Sequence, residues 1–444
     1  MTLTATQRPW PGRNAVPAPA TAPSKCVRSW TYINSVAMNA DEARQTVERI
    51  ARESYGRLVA LLVVRTRDVA CAEDFLAEAF AAALEQWPTQ GVPANPDGWL
   101  VTVAKRRHLD DLRRGQVQMN GEPHLQMLAS EIEAAARISE ELPDRRLALM
   151  FACAHPLIER EARAPLILQT VLGITAKAIA SAFLVSPGSM SQRLVRAKAH
   201  IKDCAIPFSV PEQNEMPERL NAVLEALYAA YSTAWDEPHD GASELAPEAI
   251  WLTRLIAAML PEEPEAKALL AMMLYAQARR SARRDRAGCY VPIDLQDIAL
   301  WDRTQIAQAE NLLHACNRSG PSGRYQLEAA IQSAHIVRRL SGANCWPAIV
   351  SLYDHLVSLT HSPVAVLNRA AALAEVAGPD AALAELSAIS KDKRMLGYQP
   401  YWATLGHLNL RAGNIEAARE ALKIAIGLST DDAVRQHLRQ RLPS

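Results

Sequence analysis

The chain has 444 residues, with 48 basic and 48 acidic residues, so its formal net charge is zero. A chain of this length is too long for one core and suits two to four domains. The zero balance excludes a protein that is basic throughout, so any surface for nucleic acid must be local. Ala and Leu dominate and aromatic residues make up only 5%. This composition predicts an all-α fold, because Ala and Leu have the lowest cost in a helix.

Cysteine usage and hydropathy indicate a reduced, cytoplasmic protein with no membrane span. The seven cysteines lie far apart and form no C-x-x-C pair, which argues against a disulfide framework or a zinc site. The longest apolar run, Leu58 to Val64, is too short to cross a bilayer. Residues 1–40 are Pro-rich and have no signal-peptide core, so we expect a disordered leader, with Met38 as an alternative start.

Three helices are predicted in residues 41–115. The first follows an apolar stripe that ends near Arg67, and Pro88 is expected to stop the second. Asn95-Pro96 has the sequence of an N-cap followed by a first helical position, so a third helix is expected from there to about Arg114.

The third helix is predicted to be amphipathic and basic. A helix of this kind offers cations to a phosphate backbone while its apolar edge packs on the domain. The core side is assigned to Leu100, Val103, Ala104, Leu109 and Leu112, and the cationic side to Lys105, Arg106, Arg107, His108, Arg113 and Arg114.

A polar linker, 116–141, separates this unit from a second helical unit, 142–206. Thr175 can cap one helix, Leu184-Val185 can form a tight turn, and Ser186-Pro187 can cap and start a second helix. Met190, Leu194 and Ala197 are expected to face the core. Such a helix-turn-helix suits reading of the DNA major groove through the outward side chains. These are Ser189, Ser191, Gln192, Arg193, Val195, Arg196 and Lys198.

Residues 207–444 are expected to form an α-helical extension. Between about 365 and 430 the small and aromatic residues sit at the offsets of tetratricopeptide helix pairs, for example at Trp402, Gly406 and Leu422. An irregular α-bundle with Ala-rich interfaces is the alternative.

No catalytic pattern stands out, so an enzyme is not expected and no cofactor is assigned. The chain contains no phosphate-binding Gly-rich loop, no H-E-x-x-H and no nucleophile elbow. Cys153 and His155 lie close together, but no second Cys/His cluster accompanies them, which favours a structural role and no metal.

The order of these units resembles extracytoplasmic-function sigma factors, the sigma-70-type subunits that direct bacterial RNA polymerase to promoters. The resemblance rests on the run from Ala72 to Phe80, which is similar to the polymerase-binding region, and on the run from Trp99 to Arg114, which is similar to the helix that reads the −10 element. The run from Ala180 to Phe208 is similar to the −35-reading unit of a subgroup that has a helical, tetratricopeptide-like C-terminal extension.

The resemblance implies core RNA polymerase and promoter DNA as partners, and a further intramolecular or protein partner for the extension. Ala77 replaces a glutamine that is usual in the polymerase-binding run. The implied polymerase-binding residues are Asp74, Glu78 and Phe80. The implied −10 residues are Asn95, Trp99, Lys105, Arg106, Arg107 and Arg113, and the loop Gln90–Asn95 is implied to receive a flipped −10 base. The implied −35 residues are the seven outward residues between Ser189 and Lys198.

Two other functions stay open at this point. A helix-turn-helix regulator with a tetratricopeptide scaffold would act without core polymerase, and would need a dimer and a single operator. A protein-interaction scaffold would carry its basic helices only as solvated faces.

Overall fold

The computed structural model describes residues 41–117, 145–212, 214–236, 245–316 and 322–443. The expected leader and nearly all of the expected linker, 116–141, lie outside these residues. The described part is all-α, as predicted, and its only extended pairing is an isolated bridge between Arg284 and Tyr290. Within it, no helix combines the length and apolar character needed to cross a membrane.

Within the described residues, eight helices come before residue 210. They are α1 (41–53), α2 (Tyr55–Thr66), α3 (Val69–Gln90), α4 (Pro96–Val117), α5 (Arg146–Cys153), α6 (Arg160–Thr170), α7 (Ala176–Ala182) and α8 (Pro187–Asp203).

Twelve more helices follow in the described residues, with three short 3₁₀ turns between 280 and 300. They are α9 (Met216–Asp236), α10 (Leu245–Met259), α11 (Pro264–Ala278), α12 (Arg303–Cys316), α13 (Arg324–Ser341), α14 (Trp346–Thr360), α15 (Pro363–Ala377), α16 (Pro379–Ser387), α17 (Lys393–Leu396), α18 (Gln399–Arg411), α19 (Ile415–Leu428) and α20 (Asp432–Gln440).

One continuous apolar core joins the first thirteen helices, from Ala43 to Ile336. Helix α11 lies at its centre, since ten of its fifteen residues are buried on all sides of the helix. Helix α9 packs against α6, so the extension shares its core with the 145–206 unit. The last seven helices instead contribute to smaller clusters of residues close in sequence.

A half-buried carboxylate joins two helices of the extension. Glu265, in the first turn of α11, accepts hydrogen bonds from the backbone N–H groups of Tyr325 (2.9 Å) and Gln326 (3.1 Å) at the start of α13. A Cβ at Gly323 would lie 2.3 Å from the Glu265 carboxyl carbon, so a larger residue there would displace this carboxylate from its hydrogen bonds. Burial raises the pKa of Glu265, and the two donated hydrogen bonds offset part of that effect.

Helix α18 and helix α19 form a closely packed pair near the C-terminus. Gly406 lies at their crossing, where a Cβ would come within 2.7 Å of the Leu422 side chain. Trp402 donates its indole N–H to the Leu396 carbonyl (3.0 Å) and packs against two neighbouring clusters. The helix pair predicted here is therefore present, and its tetratricopeptide character remains a prediction.

Two helix boundaries in the first unit differ from expectation. Pro88 does not stop α3, which runs to Gln90, because a proline in the last turn removes only one hydrogen bond and Gly91 N–H still bonds the Trp87 carbonyl (2.9 Å). The stripe expected to form one helix up to Arg67 is interrupted at Ser54 and forms α1 and α2.

Candidate nucleic-acid interface

The predicted polymerase-binding residues lie on helix α3. Asp74, Ala77 and Glu78 are exposed on its surface. Phe80 is partly buried against the core. The two carboxylates therefore lie on the surface, while Phe80 fixes the helix to its own unit.

The basic face of α4 lies beside this acidic face. Arg106 is exposed, and the Arg107 guanidinium lies 3.5 Å from the Glu78 carboxylate. Lys105 is half-buried, and Arg113 lies beyond the last side chain that the structure describes on α4. Predicted DNA-binding and polymerase-binding groups thus adjoin at one edge of the unit.

Two predictions for α4 are corrected. Leu112, expected in the core, is 49% exposed, and Val101 is buried instead, because α4 is covered only along its first half. His108 adds little positive charge near neutral pH. Its ring packs against Phe75 at 5.3 Å, and burial lowers its pKa.

Aromatic packing and a cap hold the 91–95 loop in place. Trp87 on α3 meets Trp99 on α4 edge to face, with ring centroids 5.3 Å apart. Asn95 caps α4 by accepting the Gly98 N–H (2.9 Å), as predicted. Asp97 forms an ion pair with Arg57 of α2 (2.7 Å). The loop expected to receive a −10 base is therefore anchored at both ends.

Helices α7 and α8 are joined by a tight turn, as their sequence indicates. Thr175 accepts the Ala178 N–H (3.3 Å) and Ser186 accepts the Ser189 N–H (3.2 Å), so both predicted caps are confirmed. Leu184 takes a left-handed conformation (φ 54°), and the Val185 N–H bonds the Ala180 carbonyl (2.9 Å). This closing geometry is a common helix C-cap.

The outward and inward faces of α8 follow the prediction with two differences. Met190, Leu194 and Ala197 are buried, and Val195 is 68% exposed. Exposed alongside Val195 are Ser189, Ser191, Gln192 and Arg196.

The two differences are at Arg193 and Lys198. Arg193 is only half-exposed and donates to the Glu161 carbonyl (3.4 Å). The Lys198 side chain is 12% exposed, and its ammonium is paired with Glu73 of α3. Neither cation is fully presented to DNA in this arrangement.

Cys153 and His155 do not form a pair with each other. The Cys153 thiol is fully buried against the Thr170 hydroxyl (3.4 Å), and burial raises its pKa to about 12. His155 accepts the Leu157 N–H (3.3 Å) through Nδ1. A thiol with such a pKa is not a nucleophile at neutral pH.

Sequence reasoning missed the residues that bring α2 and α3 against the 145–206 unit. Gly56, Asp68 and Glu73 all contact residues more than one hundred positions away. One signal was available, since a glycine inside a helical pattern often marks a close approach.

Two parts of the chain match known protein families. Residues 50–117 match the model of Sigma-70 region 2, which coincides with α2–α4. Residues 219–317 match a family of unknown function (DUF6596), which spans most of the core of the extension. No solved structure matches significantly.

A protein of Rhizobium meliloti (strain 1021), described as uncharacterized, is 34% identical over 384 residues. The aligned part covers 85% of this chain and 90% of that protein. The chain therefore belongs to the same family as the Rhizobium meliloti protein, and its match to Sigma-70 region 2 supports a sigma factor of the sigma-70 family.

Proposed function

We propose that the protein is a sigma factor of the extracytoplasmic-function type. Helices α2–α4 bind core RNA polymerase and the −10 element, α8 reads the −35 element, and the extension regulates both. The observation that carries the proposal is the region 2 match over α2–α4, where exposed carboxylates and exposed cations lie on adjoining faces. The sequence similarity to this class of sigma factor supports the same reading.

Core polymerase is the partner that separates this proposal from its rivals. A helix-turn-helix regulator or an interaction scaffold has no use for an acidic face on α3. The exposed position of Asp74 makes it the better residue to change, because Glu78 lies beside Arg107 and its replacement would also alter α4.

Asp74→Arg is expected to weaken binding to purified core polymerase by about tenfold or more, since an exposed carboxylate in an interface becomes a like charge for its partner. The measurement is a pull-down or titration with core. Glu420→Arg is the matched control, because Glu420 is equally exposed on α19. Equal affinities for both variants, or no binding by the wild-type chain, would contradict the proposal.

The −35 role of α8 is supported by its exposed face of short polar side chains, Val195 and Arg196. Side chains of these types read base edges from a helix in the major groove. The buried side chains of Met190, Leu194 and Ala197 determine which face of α8 points outward.

Arg196→Ala is expected to cost about 1–3 kcal/mol in affinity, or about fivefold to 150-fold, for promoters that carry the preferred −35 base. The measurement is transcription by the reconstituted holoenzyme on a set of single-base −35 variants. Arg439→Ala, at an exposed arginine of α20, is the control. A uniform loss on every promoter would show that Arg196 contacts phosphate and not a base.

A regulatory role for the extension is supported by its direct contact with the proposed −35 unit. Arg146 of α5 forms an ion pair with Glu248 of α10, and its guanidinium stacks on the Trp251 ring at 4.7 Å. Because α9 also packs on α6, a movement of the extension would displace the helices against which α7 and α8 pack.

A further inference from the structure

The segment that follows helix α11 is strongly basic. Five of the eight residues 279–286 are arginines, and Asp285 is the only acid among them. The Asp285 carboxylate accepts two backbone N–H groups of its own turn (both 2.9 Å). Arg284 forms an ion pair with Asp431 near the C-terminus (2.5 Å). These contacts occupy both carboxylates without involving the two arginines that begin the segment.

The first of these two, Arg279, is a buried cation. It directly follows the last residue of α11 and is 9% exposed. Its Nε–H donates to the Tyr275 carbonyl (3.3 Å), and a terminal N–H donates to the side-chain oxygen of Gln332 on α13 (2.7 Å). Both acceptors are neutral. Among the residues that the structure describes, no carboxylate forms an ion pair with Arg279, and burial lowers the pKa of this guanidinium to about 10.

A second guanidinium lies close to the first. Arg280 is partly exposed in a 3₁₀ turn, and no acidic side chain in the described part of the chain pairs with it. Burial raises the pKa of the Tyr231 hydroxyl, and three nearby guanidinium groups oppose that rise: Arg280, Arg279 and Arg283. The Tyr231 hydroxyl donates to the Met273 carbonyl (3.1 Å), which fixes α9 beside these cations.

The residues Tyr231, Arg279, Arg280, Arg283 and Gln332 are called the arginine site below. The end of α11 neutralises little of its charge, because a helix C-terminus is equivalent to only about −0.5 of an elementary charge. The neighbouring His335 confirms that the surroundings are positive, since burial and then the nearby Arg338 and Arg279 lower its pKa to about 4. A buried charge without a counter-charge is strongly unfavourable, and proteins pair such groups or bind a ligand with them.

We propose that the arginine site binds a phosphate group, as free phosphate or as a small phosphate ester, whose charge balances the adjacent guanidinium groups. Guanidinium groups recognise phosphate oxygens through paired N–H donors. A phosphate dianion also matches two adjacent cations better than a single carboxylate does. Because α9 contributes Tyr231 to the site and packs on α6, bound phosphate would stabilise the contact between the extension and the 145–206 unit.

Equilibrium dialysis of the full chain against radiolabelled inorganic phosphate tests the site directly. The wild-type chain is expected to show saturable binding at a single site. Arg280→Gln should weaken this binding by about tenfold, since a charge-assisted hydrogen bond to phosphate is lost. Arg286→Gln is the matched control, because Arg286 is an exposed arginine of the same segment and the change removes the same charge. Its phosphate affinity should stay close to that of the wild-type chain.

Thermal unfolding of Arg279→Met gives a second readout. Without phosphate this variant should unfold at the same temperature as the wild-type chain or higher, because an unbalanced buried charge has been removed. Phosphate should raise the unfolding temperature of the wild-type chain more than that of the variant, since only the former binds it. The general stabilisation of proteins by phosphate salts acts on both chains, so the variant measures that contribution. If Arg279→Met fails to fold, the dialysis of Arg280→Gln decides.

Absence of saturable phosphate binding by the wild-type chain would overturn the proposal, and so would equal affinities of Arg280→Gln and Arg286→Gln. Displacement of phosphate by an equal concentration of acetate would also overturn it, because a carboxylate would then be sufficient. Glycerol phosphate is the second probe. Its tighter binding than that of inorganic phosphate would support an ester as the ligand, and weaker binding would support free phosphate. None of these measurements uses core polymerase, so their outcome is independent of the proposed function.

Discussion

A chain that ends at Phe208 is expected to be insoluble or largely unfolded. Its 145–206 unit shares a core with α9, in which Val223, Leu224 and Leu227 are fully buried. Complete burial of a Leu or Val side chain contributes about 1.5–3 kcal/mol. Three such side chains therefore contribute an amount comparable with the free energy of unfolding of a whole domain, which is about 5–15 kcal/mol. Removal of α9 would expose the face of α6 that these residues cover.

The measurement is the soluble yield and the thermal unfolding of the truncated chain. The control is a chain that ends at Ala377, which leaves the large core intact and cuts only into the smaller, sequence-local clusters. In stacked helices a terminal segment can be lost with less effect on its neighbours. A Phe208-ended chain with a native-like cooperative transition would contradict the expectation. Loss of activity after this truncation would report lost folding and not lost regulation.

Trp87→Ala should destabilise region 2 by about 3–5 kcal/mol, because a large buried aromatic side chain leaves a cavity that helices cannot fully close. Trp87 is 2% exposed and supports Trp99 on α4. The same change should slow promoter opening, since the 91–95 loop lies between these two helices. Unfolding in urea and formation of the open complex measure the two effects.

Trp87→Phe is the control for this prediction. Within the described residues the Trp87 indole N–H has no hydrogen-bond partner, so phenylalanine removes an unsatisfied donor while keeping most of the ring. We expect a cost of less than about 2 kcal/mol. Equal destabilisation by both variants would show that the cavity is not the cause.

The local features of both proposed DNA-binding units could be predicted from the sequence because they depend on neighbouring residues. The caps at Asn95, Thr175 and Ser186 each join atoms three residues apart, and the buried face of α8 follows from helical periodicity. The break at Ser54 was not predicted, since the apolar stripe continues through it.

Contacts between distant segments could not be predicted from a single sequence. Glu73 and Lys198 are 125 positions apart, and no sequence pattern indicates which carboxylate will meet which ammonium. Lys198 was accordingly predicted as one of the −35 residues, and its ion pair with Glu73 leaves that role to be tested. The exposure of Leu112 was missed for a related reason, because periodicity does not show where the covering helices end.

The Glu265 cap on α13 bears on how the protein is synthesised. Glu265 leaves the ribosome 60 residues ahead of the Tyr325 N–H that it binds, a delay of about three to twelve seconds at about 5–20 residues per second. If α11 docked during that interval, the Glu265 carboxylate would lose water without gaining a hydrogen-bond donor. This cost opposes premature docking of α11. The centre of the extension is therefore expected to assemble late in translation, after the helices proposed to bind the promoter have already emerged.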